Sequence, residues 1–267
     1  SEGDIARYTA DAGTSQYFND QTRYIMERDD EVTMKYGLDR LNTTNGPYHI
    51  ELYDVNSDET LAQKSADKHI ISCAITANSK YVFASTADEL IIYDTPNLNV
   101  VKKYDYKVGV PATLLLSPDS ETLLVSKTAE SVMYGGGDKP LNFDIDIYNT
   151  RTLEKTGSLI GHYSTVNGLA FSADGRKVFS GSADGSIRIW NLESQKQIAL
   201  LHGSSPDHYF ITTADGYFNM SKDAIKNMAF GDDQNIYPAS VFEAKLNRPD
   251  KVAAVIGYTP SALQTAF

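Results

Sequence analysis

From residue 161 onward, short apolar runs alternate with polar turns at an even pace. "VNGLAF" is closed by "SADG", "KVFSGS" by "ADG", and "SIRIWN" is followed by "QIALLH" at 197–202. Runs of this length joined by Asp-Gly turns predict antiparallel hairpins, so four consecutive runs predict one small four-stranded sheet.

The same pattern recurs along the chain. The turn after the first strand is found as "FNDQ" at Asp20, "TANS" at Asn78, "SPDS" at Asp119, "SADG" at Asp174 and "TADG" at Asp215, at spacings of 58, 41, 55 and 41. The end of the third strand is found as Tyr53-Asp54, Tyr93-Asp94, Tyr148-Asn149 and Trp190-Asn191, at spacings of 40, 55 and 42. Two independent markers share a period near 41 and one common insertion. A fixed period of this size is the mark of a repeat architecture. The insertion is a Gly-rich loop at about 129–142, and extra polar residues also lengthen the first unit. Long loops on a compact repeat are where function concentrates.

At 161–191 these residues resemble a WD repeat, the unit of a β-propeller blade. That resemblance implies an internal hydrogen-bond network of His162 before the first strand, Ser180 in the second, Asp184 in the next turn and Trp190 in the third. The other units are degenerate: the second has Asp88 and Tyr93 but Ala84 at the Ser position, and the third lacks the Asp turn. The expected fold is therefore all-β, a propeller of four-stranded antiparallel blades over 1–205, followed by a hairpin and a mostly helical extension over 206–267. Four units and the start of a fifth are visible, where the family usually closes a ring with seven or eight. Three closures stay open: a fragment, completion of the last blade by "DIARYTA", or a ring shared by two chains. An incomplete disc would leave a blade edge open to self-association.

In the extension, Ser221 precedes "KDAIKNMAF" as an N-cap, and "SVFEAKL" and "DKVAAVIG" read as helices, the second capped by Asp250 and ended by Gly257. The "ADGYF" hairpin, "YP" at 237–238 and "NRPD" at 247–250 resemble the region that closes WD-repeat propellers in bacterial proteins continuing into a caspase-like peptidase. That likeness implies a regulatory or sensing part of such a system, with the protease beyond Phe267 or missing in this relative.

Composition narrows the function classes. A net charge of −11 argues against general nucleic-acid binding and against docking on anionic membranes. No run of 18 apolar residues predicts a membrane span. Cys73 is the one cysteine, in an apolar strand with Ile71 and Ile75, so a buried structural thiol is expected and no disulfide can form within the chain. This usage fits the cytoplasm, and a periplasmic chain without disulfides is also consistent with it.

Candidate chemistry is sparse. His162, Ser180 and Asp184 read on paper as a hydrolase triad, but a nucleophile needs exposure and an oxyanion hole, and the resemblance places this trio inside a blade. His49, His69, His202 and His208 follow no metal-ligand spacing; His202 and His208 lie near Asp207 and Asp215, and a solvated-loop role takes precedence over a metal pair. "YGGGD" at 134–138 lacks the Lys-Ser/Thr of a phosphate loop, and "ERDDE" and "FGDDQN" lack calcium-loop spacing. No cofactor is expected. Tyr53, Tyr93 and Tyr148 occupy the Trp position and read as core, whereas Tyr104, Tyr106 and Tyr134 fall on predicted turns or the inserted loop. Exposed tyrosines there mark a protein-binding face. The reading is a non-catalytic scaffold for a protein or peptide partner; the alternative is a propeller-type hydrolase with a site on a loop face.

Overall fold

The computed structural model describes residues 32–38, 48–54, 59–95, 97–128, 142–205, 207–231 and 235–257. The chain divides into two compact units at Ile160/Gly161.

The first unit holds three sheets in chain order. Strands β1 (Val32–Leu38), β2 (Tyr48–Asp54) and β3 (Glu59–Ala66) form a three-stranded antiparallel meander. Strands β4 (Ser72–Ile75), β5 (Tyr81–Ser85), β6 (Glu89–Asp94) and β7 (Val100–Asp105) form a four-stranded one. The next four, β8 (Val110–Leu116), β9 (Thr122–Thr128), β10 (Ile145–Asn149) and β11 (Glu154–Leu159), repeat it.

The sheet β4–β7 is covered on both faces. On one side Cys73, Ile75, Val82, Ala84, Ile91 and Tyr93 pack with Ile50 and Leu52 of β2. On the other, Ala74, Phe83, Leu90 and Ile92 pack with Leu114, Leu116, Leu123, Val125 and Tyr148. Successive side chains of a strand point to opposite faces, so a strand sandwiched twice must be apolar throughout. That is why "YVFAS" and "ELIIYD" run apolar without alternation. Cys73 sits inside this packing, and burial pushes its thiol well above the ordinary range, which leaves it unreactive.

The second unit is one six-stranded sheet: β12 (Val166–Phe171), β13 (Lys177–Ser182), β14 (Ser186–Asn191), β15 (Lys196–Ser205), β16 (His208–Thr213) and β17 (Phe218–Met220), in that order. Two expectations are corrected here. The "TADG" turn at Asp215 does not open a fifth blade, because β16 pairs along β15, Ala199 opposite Thr213 through Ser205 opposite His208. A boundary after residue 205 therefore falls inside a continuous sheet. The hairpin satisfies the edge groups of β15 that would otherwise face water.

The extension packs on that hairpin. Helix α1 (Lys222–Asn227) starts at Ser221, whose side chain accepts from the Ala224 N–H, and buries Ile225 against Phe218 and Met220. A short ladder, β18 (Ala229–Gly231) with β19 (Ile236–Pro238), precedes a single 3-10 turn at Ala239–Val241 and the four-residue helix α2 (Glu243–Leu246). The expected continuous helix "SVFEAKL" is thus two short turns. Helix α3 (Pro249–Ile256) begins at Arg248 with Pro249 in its first turn, not at Asp250, because proline is pre-set for that position. It ends at Gly257 in the left-handed region, and Lys177 Nζ donates to the Val255 carbonyl at 3.0 Å.

Backbone geometry repeats with the sequence. Ser79, Ser120, Gly175 and Gly216 all have positive φ, at +50°, +57°, +69° and +81°, in the turn after each first strand or its counterpart. Leu98, Leu153 and Gln195 do the same, at +54°, +58° and +56°, in the turn after each third strand. A side chain in this region costs about 1 kcal/mol against glycine. Replacing Ser79→Gly should accordingly raise stability by up to about 1 kcal/mol, offset in part by the greater freedom of the unfolded glycine. An unchanged or lower urea midpoint would contradict this.

Candidate functional site

The site that the sequence singles out lies in the second unit. Strand β13 presents Ser180 and β14 presents Trp190; His162 comes from the loop leading into β12 and Asp184 from the β13–β14 turn. The four side chains form one continuous chain of bonds. Trp190 Nε1–H donates to Ser180 Oγ at 2.8 Å, Ser180 Oγ meets His162 Nε2 at 2.7 Å, and His162 Nδ1 meets Asp184 Oδ2 at 2.8 Å. An indole only donates and a carboxylate only accepts. The proton of the neutral imidazole therefore sits on Nδ1, and the Ser180 hydroxyl donates to Nε2. Asp184 also accepts from the Ser186 hydroxyl and N–H at 2.5 and 2.9 Å and from the Tyr163 N–H at 3.0 Å.

Electrostatics follow from this wiring. Burial lowers the His162 pKa, and the bond to Asp184 opposes that shift only in part. For Asp184, burial pushes the pKa up, but the hydrogen bonds from Ser186, His162 and the Tyr163 N–H outweigh it and hold the carboxyl well below its ordinary value. Ser180 is 1% exposed.

The other two complete sheets show why this network occurs once among the described residues. Trp190 lies opposite Val178, Tyr148 opposite Leu123 and Tyr93 opposite Val82, so all three aromatics hold the same register. One step on, Ser180 pairs with Arg188, Val125 with Asp146 and Ala84 with Ile91. Without a hydroxyl at that place, the tyrosines need other partners. Tyr148 bonds Tyr106 through their hydroxyls at 2.7 Å. In the same sheet Lys127 and Asp146, both buried, pair at 3.0 Å, and Asp146 also takes Lys155 and Ser158 at 2.8 Å each. In sheet β4–β7, Lys68 reaches Asp88 at 2.9 Å and Glu89 at 3.2 Å, an exposed ion pair spanning the same loop and turn that His162 and Asp184 join.

The tyrosines expected to mark a binding face are placed differently. Tyr106 is buried against Tyr148, and burial pushes its hydroxyl far above the ordinary range. Tyr104 lies in strand β7 rather than a turn, half-buried, with its hydroxyl donating to the Leu153 carbonyl at 2.5 Å. Both are held by the fold because the residues that precede β8 tuck under the neighbouring sheet. Tyr134 and the Gly-rich loop at 134–138 lie outside the described residues, as do "ERDDE" and the side chains of His49 and Tyr53. His202 stacks on Phe210 with centroids 5.1 Å apart, and His208 Nδ1 meets Ser205 Oγ at 3.2 Å. Among the described residues no three His, Cys, Asp or Glu side chains group as a metal site.

A different aromatic stands out on the rim. Tyr163, beside His162, is 82% exposed. Its backbone is pinned by Asp184, and the Arg188 guanidinium lies 5.5 Å from its ring centroid. Its sequence signal is a tyrosine directly after the network histidine, a position fixed by a bond rather than by packing.

Consecutive four-stranded antiparallel leaves, with an aromatic at one register position in each complete leaf, define an all-β protein of the WD-type propeller class with a short, partly helical C-terminal part. Residues 153–191 match the WD domain, G-beta repeat family. Over 178 residues, 65% of this chain and 47% of the relative, it is 28% identical to the uncharacterized WD repeat-containing protein sll1491 of Synechocystis. It is 24% identical to striatin-3 of Rattus norvegicus over 72% of this chain and 27% of the relative. Eukaryotic translation initiation factor 3 subunit I of Bombyx mori is 27% identical over 42% of this chain and 34% of its own length. The chain thus carries a WD repeat and spans about half, or less, of the curated relatives it matches. Among solved structures, hydrazine synthase of Kuenenia stuttgartiensis aligns at a TM-score of 0.50 and 11% identity, over 71% of this chain and 62% of that one. The computationally designed Ika8 protein aligns at 0.50 and 15%, over 73% and 56%.

Replacing Ser180→Ala leaves His162 Nε2 and Trp190 Nε1–H without their buried partner, and should cost about 3 kcal/mol by chemical denaturation. A loss under about 1 kcal/mol would mean that the network contributes little to holding the sheet. Acid should act on the same network in two stages. The His162 pKa is lower folded than unfolded, so stability falls as pH drops below the ordinary histidine value of about 6.5. The Asp184 pKa is also depressed, so its contribution is complete above about pH 4 and is lost as pH falls below that. Urea midpoints measured from pH 7 to 3 should fall in both ranges, and the upper fall should shrink in His162→Gln.

Proposed function

We propose that this chain is a non-catalytic scaffold that binds a protein or peptide partner. The observation that carries the reading is the state of Ser180. The constellation of Ser180, His162 and Asp184 has its hydroxyl buried and shared between an imidazole and an indole. A nucleophile needs open access and free hydrogen-bond capacity toward an oxyanion site, so the trio reads as the fastening of a loop to a sheet. The WD-repeat relatives support the same direction. Chain-wide acidity favours partners with basic surfaces through long-range steering.

The finer reading is a regulatory or sensing part that works alongside a bacterial caspase-like peptidase. It rests on "DGYF", "YP" and "NRPD" in the extension, where Phe218 and Met220 form the floor under α1 and Arg248 N–H bonds the Phe218 carbonyl. The contact residue we assign to the scaffold role is Tyr163, exposed and backbone-pinned, an aromatic anchor beside an arginine.

The test has two parts. Purified chain should turn over none of a panel of chromogenic esters, glycosides and peptides, and Ser180→Ala should not change that result. A partner identified by cross-linking should bind Tyr163→Ala at least tenfold more weakly, with the melting temperature within 2 °C of the parent, as expected for a surface change. Turnover lost in Ser180→Ala would replace the scaffold with an enzyme.

A further inference from the structure

A cleft of about 230 Å³ opens between the second and third sheets of the first unit, lined by Thr76, Asn78, Lys80, Ser120, Glu121 and Arg151 among others. Its floor is built and internally satisfied. The Ala77 N–H crosses from one sheet to donate to Ser120 Oγ at 3.3 Å, and Thr150 Oγ1 donates to the Ser120 carbonyl at 2.6 Å. Thr76 Oγ1 donates to Asn78 Oδ1 at 2.8 Å and accepts from the Lys80 and Tyr81 N–H groups at 3.2 and 3.1 Å. Ser120, Thr150 and Thr76 are all buried, so the positions of the side chains above them are set by the fold.

The charges at the mouth are unequal in their freedom. Asp119 accepts through Oδ1 from the Ser117 hydroxyl at 2.5 Å and the Glu121 N–H at 2.9 Å. Glu121 pairs with Arg151. Lys80 is exposed, has no carboxylate within salt-bridge distance among the described residues, and holds its ammonium 4.8 Å from the centroid of the Tyr81 ring. Asn78 is exposed and makes its bonds through Oδ1, which leaves its carboxamide N–H groups available as donors. Residues 1–160 carry 15 Lys and Arg against 25 Asp and Glu, so an unpaired lysine with amide donors beside it departs from its surroundings, and it shares the mouth with one uncommitted carboxylate oxygen, Asp119 Oδ2.

From this geometry we infer that the cleft is a seat for a single oxyanion-bearing side chain of a partner polypeptide, a glutamate or aspartate carboxylate or a phosphoryl group. Lys80 supplies the charge, Asn78 the directional donors and Arg151 the second cation, sharing its guanidinium with Glu121. Charge-assisted bonds of this kind orient a ligand and reject the neutral isostere. The site deepens the scaffold reading and rests on it. It also explains how an acidic protein could select among basic partners: by requiring one acidic side chain at a fixed place.

The experiment uses the whole chain and three fluorescein-labelled peptides, alike except for one central glutamate, phosphoserine or alanine, with inorganic phosphate as competitor. The glutamate or the phosphoserine peptide should bind, the alanine peptide at least tenfold more weakly, and phosphate should displace the bound one. Lys80→Met should weaken binding tenfold or more, while Lys107→Met, an exposed lysine of the same unit away from the cleft, should change it less than twofold. Which anionic peptide binds distinguishes carboxylate from phosphoryl recognition. Equal affinity for the alanine peptide, no binding of either anionic peptide, or equal losses in the two lysine variants would overturn the site. A chain that still captures its partner through Tyr163 while binding neither anionic peptide keeps the scaffold and loses this cleft.

Discussion

A small sheet that is apolar on both faces has to be covered twice, and the rest of this chain follows from that requirement. Strands β5 and β6 place Val82, Ala84, Ile91 and Tyr93 on one side and Phe83, Leu90 and Ile92 on the other, and each set finds a neighbouring sheet. Exposing either set would cost on the order of 1.5–3 kcal/mol per large side chain. Within the first unit the sheets therefore follow one another along the chain, β4–β7 packed between β1–β3 and β8–β11. The period near 41 is the length needed for four strands and their turns, and the 55-residue step is that unit plus one inserted loop.

Cover alone does not hold the loops between sheets. The chain meets this second need with three different chemistries. In the second unit a directional relay runs from the buried Trp190 indole through the Ser180 hydroxyl and the neutral His162 imidazole to the ionised Asp184 carboxylate. In sheet β4–β7 an exposed lysine clamps two carboxylates. In sheet β8–β11 a buried ion pair lies beside a tyrosine pair. Exposed pairs are worth about 1 kcal/mol or less, and buried pairs offset their desolvation only with good geometry. The relay keeps a single ionised group, Asp184, and offsets its desolvation with hydrogen bonds from His162, the Tyr163 N–H and the Ser186 hydroxyl and N–H.

Much of this was legible in the sequence because it is periodic. Strand order and turn positions follow from repeated spacing, whereas the partners of His162 were implied by the resemblance of 161–191 to a WD repeat. What was not legible depended on which edge a strand chooses. "HYFITTADGYFNM" carries the same turn as a new blade, and nothing in its pattern says that it pairs along β15 instead. Tyr104 and Tyr106 were misplaced for a related reason: the predicted turn before β8 is polar on average, yet two of its neighbours reach Leu153 and Tyr148 in another sheet. Tyr163 and the Lys80 cleft were missed because exposure at a rim is set by what does not pack there, and pattern arguments register only what does.

The ten-residue strand β15 has a practical bearing on how the molecule can be divided. Its outer edge is occupied by β16, which β17 covers in turn, and α3 is tethered back to β13 by Lys177. A recombinant piece trimmed after Ser205 would bare a long, flat ladder of unpaired amides, an open template for fibrous or swapped assemblies. The smallest segment that keeps this sheet's borders intact runs from Gly161 to Gly257.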